Sequence, residues 1–463
     1  MFIEAAPGLP ARSQSSLRWE TLVAVVAGAT LLLAPAIWNG YPLLQYDTGG
    51  YLARWYEGYL VPSRSTVFGL YLHVGEGIHF WPQLVVQAAL TLWIVSLVLR
   101  VTGLGYRPRL FLLIVSMLAL TTSLSFLNSL LLTDIFAGLS VLALYLLSFH
   151  WRALGRLEQG ALLLLIAFSA ASHSATLAVL IAVLMLAAAL SLVWRLCDWR
   201  GLLASGTGIV AGAAMLLVTN FAFSGQLAWT PGGYGILFGR MLQDGIVKHY
   251  LDDHCPAAGH KLCPYRERLP ATGDDFLWNS GIFNDLGRFE GLGDEMREIV
   301  LGSLREYPRE QLQTAVAATA EQLRLVGSGY GVHDTIWHTY GIIKRFIPRE
   351  LPSMLRARQQ HGEFGFEQIN SLHVPIALGS MALVLALAMR ALFSRRFDSI
   401  ATLAATVVGA LLANAFVCGA LSGPHDRYGA RMTWLATLLV IVALAHAVRR
   451  LIETGERPQS ASL

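Results

Sequence analysis

Asp47 stands in the run Tyr46-Asp47-Thr48-Gly49-Gly50-Tyr51-Leu52, directly after the first apolar stretch of the chain. An ionised carboxylate beside a membrane can accept a proton from a hydroxyl or amine, or hold a divalent cation. The same residues also spell an Asx turn, with Asp bonding its own backbone and glycine supplying a positive φ. Other groups weigh against that plain reading. Asp134, in Leu132-Thr133-Asp134-Ile135-Phe136, opens a later apolar stretch, where an ionisable side chain needs a partner or a water-filled cavity. Its ordinary role there would be a helix cap shared with Thr133. His173-Ser174 separates two more apolar stretches, and Arg427 with Arg431 lies in the connection that begins Gly423-Pro424-His425-Asp426. If the chain weaves as its hydropathy suggests, all these groups meet on one face.

The elements that must position them are read from composition. The 463 residues are 55% hydrophobic and 14% charged, with a mean hydropathy of +0.53. A soluble domain cannot cover that much apolar surface with so few charges, so a bilayer must act as solvent. The net charge of +4 is too small and scattered for a nucleic-acid partner. Roughly 20 apolar residues cross a hydrocarbon core of roughly 30 Å. On that rule about ten spans are expected, at 21–38, 82–99, 110–126, 131–148, 161–173, 175–194, 202–222, 372–392, 399–420 and 432–448. Those at 110–126 and 161–173 are short for a crossing.

Arginines give the orientation. Arg12 and Arg18, Arg100 with Arg107 and Arg109, Arg152 and Arg156, Arg195 and Arg200, Arg390 with Arg395 and Arg396, and Arg449 and Arg450 flank connections on one side. That side is expected to be the cytoplasm, with both termini in it and the first span kept as an anchor. The opposite side receives a first loop, 39–81, two tight turns, a long segment, 223–371, and a last loop near 422–431. In the long segment Pro308 opens an amphipathic helix with Leu312, Ala315, Val316 and Leu323 on its apolar face, Thr319 between them and Gly327 closing it. Cys255 and Cys263, eight residues apart, read as a disulfide in an oxidising compartment. A metal reading also exists, because Asp252, Asp253, His254 and His260 are close by, though the tight Cys-x-x-Cys spacing of structural zinc is missing. Cys197 should stay reduced, and Cys418 reads as a small apolar helix residue.

Two other constellations carry plain and functional readings. His73, Glu76 and His79 would share one face of a short interfacial helix and could ligate a metal, but Gly75 and Gly77 weaken that helix and favour an amphipathic surface. His333, Asp334, His338, Lys344 and Arg345, interleaved with Trp337, Tyr340 and Phe346, read as an aromatic and basic interface belt or as a substrate contact.

In order and sidedness the motifs resemble polytopic C-type (GT-C) glycosyltransferases, relatives of protein mannosyltransferases and of the lipid A aminoarabinose transferase. The resemblance is carried by Asp47-Thr48-Gly49-Gly50-Tyr51-Leu52, Pro62-Ser63-Arg64-Ser65-Thr66-Val67-Phe68-Gly69, Trp81-Pro82-Gln83-Leu84, Leu132-Thr133-Asp134, His173-Ser174-Ala175-Thr176 and Asp426-Arg427-Tyr428. It covers the membrane half and hardly touches 223–371. His173 stands where arginine is usual, and the first loop has one Asp where many members have an acidic pair. The resemblance implies that Asp47 is the general base or acidic anchor for the acceptor. It implies Asp134 as a second acidic group, with a divalent ion (Mg2+ or Mn2+) at Asp47 and Asp134 as the cofactor it would use. Arg64, His173, Arg427 and Arg431 would bind the phosphate of a polyprenyl-phosphate sugar donor, since guanidinium groups stabilise the charge on a leaving phosphate.

The expected fold is an all-α integral membrane protein of about ten transmembrane helices, with a large, mainly helical extracytoplasmic segment between spans seven and eight. Its parts would be a membrane module at 1–222, the segment 223–371, and C-terminal helices with a tail at 372–463. The expected function is an inverting hexosyl or pentosyl transferase in a bacterial plasma (inner) membrane. It would move sugar from a polyprenyl-phosphate donor to an extracytoplasmic lipid, glycan or protein acceptor. A secondary transporter would show internal repeats and charges at mid-depth, and neither stands out. A non-catalytic envelope-polymer assembly protein would keep the same scaffold without needing Asp47 or Asp134.

Overall fold

The computed structural model describes residues 14–57, 63–225, 227–230 and 233–455. Arg12 and Pro62, named above, lie outside the described residues, as does the end of the C-terminal tail. The chain is all-α: among the described residues the one bridge of β type is isolated, between Leu43 and Leu130.

In chain order the first half comprises α1 (Gln14–Leu32), α2 (Ala34–Asn39), α3 (Tyr46–Glu57), α4 (Thr66–His73), α5 (Trp81–Val101), α6 (Pro108–Thr121), α7 (Leu124–Ser129), α8 (Asp134–His150), α9 (Arg156–Ser172), α10 (Ser174–Trp194) and α11 (Trp199–Ser224). Helices α12 (Gly233–Gln243), α13 (Ile246–His254), α14 (Gly281–Asp285), α15 (Arg288–Glu306), α16 (Pro308–Gln322), α17 (Trp337–Phe346) and α18 (Leu351–Leu355) follow. The chain closes with α19 (Phe366–Ser394), α20 (Ser399–Ala415) and α21 (Asp426–Gly455).

Among the described residues seven helices are long and apolar enough to cross a membrane: α5, α8, α10, α11, α19, α20 and α21. The other three expected spans fall on elements that miss this length or hydropathy. The first is broken at Leu33 between α1 and α2, with Pro35 in the new first turn. Residues 110–126 divide between the 14-residue α6 and the short α7, because Thr122 is extended. The 17-residue α9 spends its first turn on Arg156 and Glu158, the latter reaching back 2.9 Å to the Gly155 N–H. Local sequence explains the other boundaries. Asp198 caps α11 and Asp398 caps α20, while proline sits in the opening turns of α5, α6 and α16.

Helix α8 is the axis of the bundle, buried from Asp134 to Ser148. Helix α11 packs on α8 and α9 through small residues, as helices do in lipid, where close approach replaces a hydrophobic drive. A Cβ on Gly201 would lie 1.9 Å from the Leu147 carbonyl oxygen, and one on Gly212 would lie 2.4 Å from that of Ala167. The outward faces of α10, α11 and α19 leave Leu192, Val210 and Phe393 exposed, a surface suited to lipid.

Within 223–371 two parts are distinct. Residues 233–307 wrap their own core of Phe238, Ile246, Phe276, Met296 and Ile299, and Cys255 and Cys263 are joined there as a disulfide. From Pro308 onward the chain rejoins the bundle, and Val332, Ile336, Ile343 and Met354 belong to the main core. Helix α16 begins at Pro308 as its sequence predicts, but its expected apolar face is turned outward. Leu312 is 67% and Val316 61% exposed, whereas Ala318 and Gln322 are buried. The small Ala318 lets the turn Phe416–Ala420 approach, so that a Cβ on Gly419 would lie 2.7 Å from the Ala318 oxygen. The Gln322 amide clamps both backbone groups of His425 at 2.9 Å. Close packing and two hydrogen bonds thus decide the face that a 3.6-residue period would have given to leucine and valine.

Candidate functional site

Residues 46–57 form helix α3, so Asp47 lies in a first helical turn and not in an Asx turn. Neither Gly49 nor Gly50 has a positive φ. Their smallness serves approach instead: a Cβ on Gly49 would meet the Thr339 Cα at 2.6 Å, and one on Gly50 would meet the Arg64 side chain at 3.2 Å. Helix α17 therefore docks on α3. The Thr339 hydroxyl receives the Gly49 N–H at 3.0 Å and donates to the Gln45 and Tyr46 carbonyls. Gln359 adds a second brace, accepting from Leu44 N at 3.0 Å and donating to the Leu44 oxygen at 2.7 Å.

Six sequence-predicted residues come together at this end of the bundle. Asp47 gives one carboxylate oxygen to Arg64 Nη2 and the other to Arg427 Nη1, 2.6 Å away. Arg427 turns its remaining edge to Asp134 Oδ2, at 3.0 Å from Nε and 2.9 Å from Nη2. Arg431 Nη1 faces Asp134 Oδ1 at 3.9 Å. Arg427 and Arg431 are not in a loop, as the sequence suggested. Helix α21 starts at Asp426, which puts them one turn apart on one face. Thr133 does not cap α8 with its side chain, and Asp134 is spent on the arginines. The cluster is layered from mouth to interior: Asp47 and Arg64 are 21% and 18% exposed, Arg427 11%, and Asp134 and Arg431 1% each.

His173 is the sixth member. It sits between α9 and α10 with extended backbone and within charge range of Asp134, Asp47 and all three arginines. Burial lowers its pKa first, and Arg431, Arg427 and Arg64 add to that against the pull of Asp134, leaving it at about 3. It is therefore neutral, a hydrogen-bonding group and not the phosphate-neutralising cation its position suggested. Among the described residues its buried Nδ1 makes no hydrogen bond, and neither do Thr133 Oγ1, Asp134 Oδ1 and Arg431 Nη1 around it, the last two facing each other only at 3.9 Å. Such orphans imply water or a substrate group among them. Burial alone would raise the Asp47 carboxyl, but Arg64 and Arg427 outweigh it and hold that group well below the usual carboxylate range.

Several supports carried no sequence signal. Arg54, buried in α3, holds the Arg64 carbonyl at 2.8 Å, and the Arg64 guanidinium lies over the Tyr51 ring at 5.7 Å. Asn414 holds Arg431 with two bonds of 3.0 and 2.7 Å, and Cys418 Sγ accepts a third at 3.1 Å. Cys418 is thus a ligand to the arginine and not only an apolar filler. It occupies the π-helical turn after α20, a local irregularity of the sort found at functional sites.

The remaining constellations lie apart from the cluster. His73 pairs with Glu76 at 3.1 Å, but His79 is itself left-handed, ends the short turn Glu76–Ile78 and pairs with the buried Glu350 at 2.7 Å, so the three do not share a helical face. Glu350 also accepts the Tyr41 hydroxyl at 3.0 Å. The belt residues form α17 and its approach: Trp337 is exposed, Tyr46 meets the His333 and Trp337 rings edge-on, and Arg345 lies over Phe346. Tyr330 stacks on His425, whose Nε2 is 3.4 Å from Asp274 of the 233–307 unit. Near the disulfide Asp252 pairs with Lys248, Asp253 accepts from Tyr307 and His254 pairs with Glu306. An open depression of about 400 Å3, lined by Trp151, Arg152, Asp198 and Trp199 among others, lies at the opposite end of the bundle.

A divalent ion is a poor match for this donor set. Among the described residues no three His, Cys, Asp or Glu side chains gather as a metal site. Both carboxylates already face guanidinium groups, so an ion would have to displace arginine. The arrangement does offer fixed, anchored cations for an anion and a weakly basic carboxylate beside them. No family model matches the chain, and comparison with curated proteins and with solved structures yields no match.

Proposed function

We propose that the protein is a membrane glycosyltransferase. It transfers a sugar from a polyprenyl-phosphate donor to a lipid, glycan or protein acceptor on the extracytoplasmic side of a bacterial plasma membrane. Both termini lie in the cytoplasm. The observation that carries this reading is the cluster of Arg64, Arg427 and Arg431 with Asp47 and Asp134, built from the ends of α3, α8 and α21 and from the chain before α4. Three guanidinium groups against two carboxylates leave a surplus of positive charge that suits a phosphodiester. The Arg-flanked connections lie at the other end of the same helices, as an extracytoplasmic site requires.

In this reading the donor phosphate rests on Arg64 and Arg427. Asp47 takes the proton of the acceptor hydroxyl or amine, the acceptor atom bonds to the anomeric carbon, and the carbon–oxygen bond to phosphate breaks. The electron pair leaves with polyprenyl phosphate, whose new charge the arginines stabilise without reorganising. Neutral His173 and Thr133, with unpartnered atoms beneath, are placed to meet hydroxyl groups.

The test is turnover of a panel of short-chain polyprenyl-phosphate sugars by the purified protein in nanodiscs. At least one donor is expected to turn over, and Asp47→Asn to lower that rate roughly 10²–10⁴-fold, the usual worth of a positioned base. Folded protein that turns over none of the panel would overturn the transferase reading and favour a transporter or assembly role. Reporter fusions just before Trp81 and within 270–290 should report the outside.

A further inference from the structure

The surroundings of Asp47 differ from those of Asp134 in a way that matters for substrate entry. The hydrogen bonds to the Asp47 carboxylate come from Arg64 and Arg427, one to each oxygen. Among the described residues no backbone group shares in holding it. With about a fifth of its side chain exposed, it can swing toward water and stay solvated. Asp134, at 1% exposure, cannot leave without burying an unpaired charge elsewhere.

The arginines, by contrast, are anchored independently of Asp47. Arg64 is held through its carbonyl by Arg54, through Nη1 by the Ser63 oxygen at 3.2 Å, and by the Tyr51 ring beneath it. Arg427 keeps two bonds to Asp134. Removing the Asp47 carboxylate thus leaves two donors in place, spaced for one anion with an oxygen on each.

We propose that Arg64 and Arg427 form a binding site for a single phosphoryl group, and that Asp47 is its built-in occupant, displaced when the phosphate of the substrate arrives. The inference rests on the transferase reading for its substrate but on ion-pair geometry for its mechanism. Displacement does two things at once. It raises the local surplus of positive charge, because three guanidinium groups then face Asp134 alone, which matches a phosphate gaining charge as it leaves. It also frees Asp47 from the pairs that depress its basicity, beside the new anion that favours its protonated form. A base that is silent in the empty site becomes competent only when the donor is seated, which protects a lipid-linked sugar from attack by water.

The consequence has an unusual sign. An ordinary binding residue weakens binding when removed, whereas an internal competitor strengthens it, because the competent fraction of the site rises. The experiment measures the dissociation constants of inorganic pyrophosphate and of a short-chain polyprenyl phosphate, for the wild type, Asp47→Asn and Arg64→Ala in nanodiscs. Asp47→Asn is expected to bind at least about tenfold tighter than the wild type and Arg64→Ala to bind more weakly. Tightening with both probes supports a site for the phosphoryl group itself. Tightening with the lipid probe alone supports it with the headgroup as the source, and with pyrophosphate alone supports a free phosphate compound. Unchanged or weaker binding by folded Asp47→Asn, or no binding of either probe to either protein, overturns the proposal. The two readings fail separately. Tightening without turnover of any sugar donor would leave the phosphoryl site standing and remove the transferase, while turnover without tightening would do the reverse.

Discussion

The two ends of the bundle carry the same residue types in different surroundings. At one end Asp47 and Asp134 meet Arg64, Arg427 and Arg431, and the inner pair is removed from water. At the other, Arg100 grips Glu158 with bonds of 2.8 and 2.6 Å, yet the side chains are 43% and 25% exposed. Arg152 and Asp198 pair similarly at 2.9 Å on the same end. In good solvent such a pair returns little, because water and salt already serve each charge. In the interior each charge depends on its partner, and losing one strands the other. The exposed end acts through the sum of its charges, whereas the buried end depends on individual contacts.

The sharpest way to break this contrast is Arg427→Ala. It strips Asp134 of both its short hydrogen bonds in a dry site, and a loss on the order of 3–5 kcal/mol is expected. Thermal unfolding in nanodiscs should show it, and adding Asp134→Asn should recover part of the loss. If Arg427→Ala unfolds no earlier than Arg100→Ala, burial does not set the difference between the ends.

A smaller effect is expected at Gln359, a neutral brace of the same region. Gln359→Ala leaves Leu44 N and O unpaired in the core, at about 1–3 kcal/mol by unfolding, with weaker donor turnover because the Asp47 helix loosens.

The third prediction concerns pH. Because the folded state depresses the Asp47 pKa, the stability its charge adds is present above the ordinary carboxylate range and is lost as pH falls below it. The melting-temperature gap between wild type and Asp47→Asn should stay level from pH 8 to about pH 5 and narrow below about pH 4. A gap that narrows near neutrality would mean that the arginines do not control this carboxylate.

The smallest effect belongs to the exposed end. Arg100→Ala should cost no more than about 1 kcal/mol and less at high salt, with turnover unchanged.

Much of the scaffold was legible from the chain. The apolar stretches at 82–99, 131–148, 175–194, 202–222 and 399–420 match the observed helices within about a turn at both ends, since a bilayer demands that length and continuity. The chemical groups at the site were legible as types, because charged residues bordering apolar runs are costly and therefore informative. Their setting was not. Gly49 and Gly50 spell a turn locally, but docking of Thr339 makes them the tight floor of a helix. Arg427 and Arg431 look like loop residues until α21 is seen to start at Asp426. Periodicity puts Leu312 and Val316 on one apolar face of α16, and tertiary packing buries Ala318 and Gln322 instead.

By itself, the sequence determined that the chain is all-α and built for a membrane, with its acidic and basic groups gathered at the ends of apolar helices. These follow from hydropathy and charge, which act residue by residue. Only the tertiary structure decided which carboxylate faces which arginine, that Asp134 is sealed while Asp47 can reach water, and that His173 is neutral. Each depends on distance and dielectric between residues hundreds of positions apart, and those quantities exist only once the helices have packed.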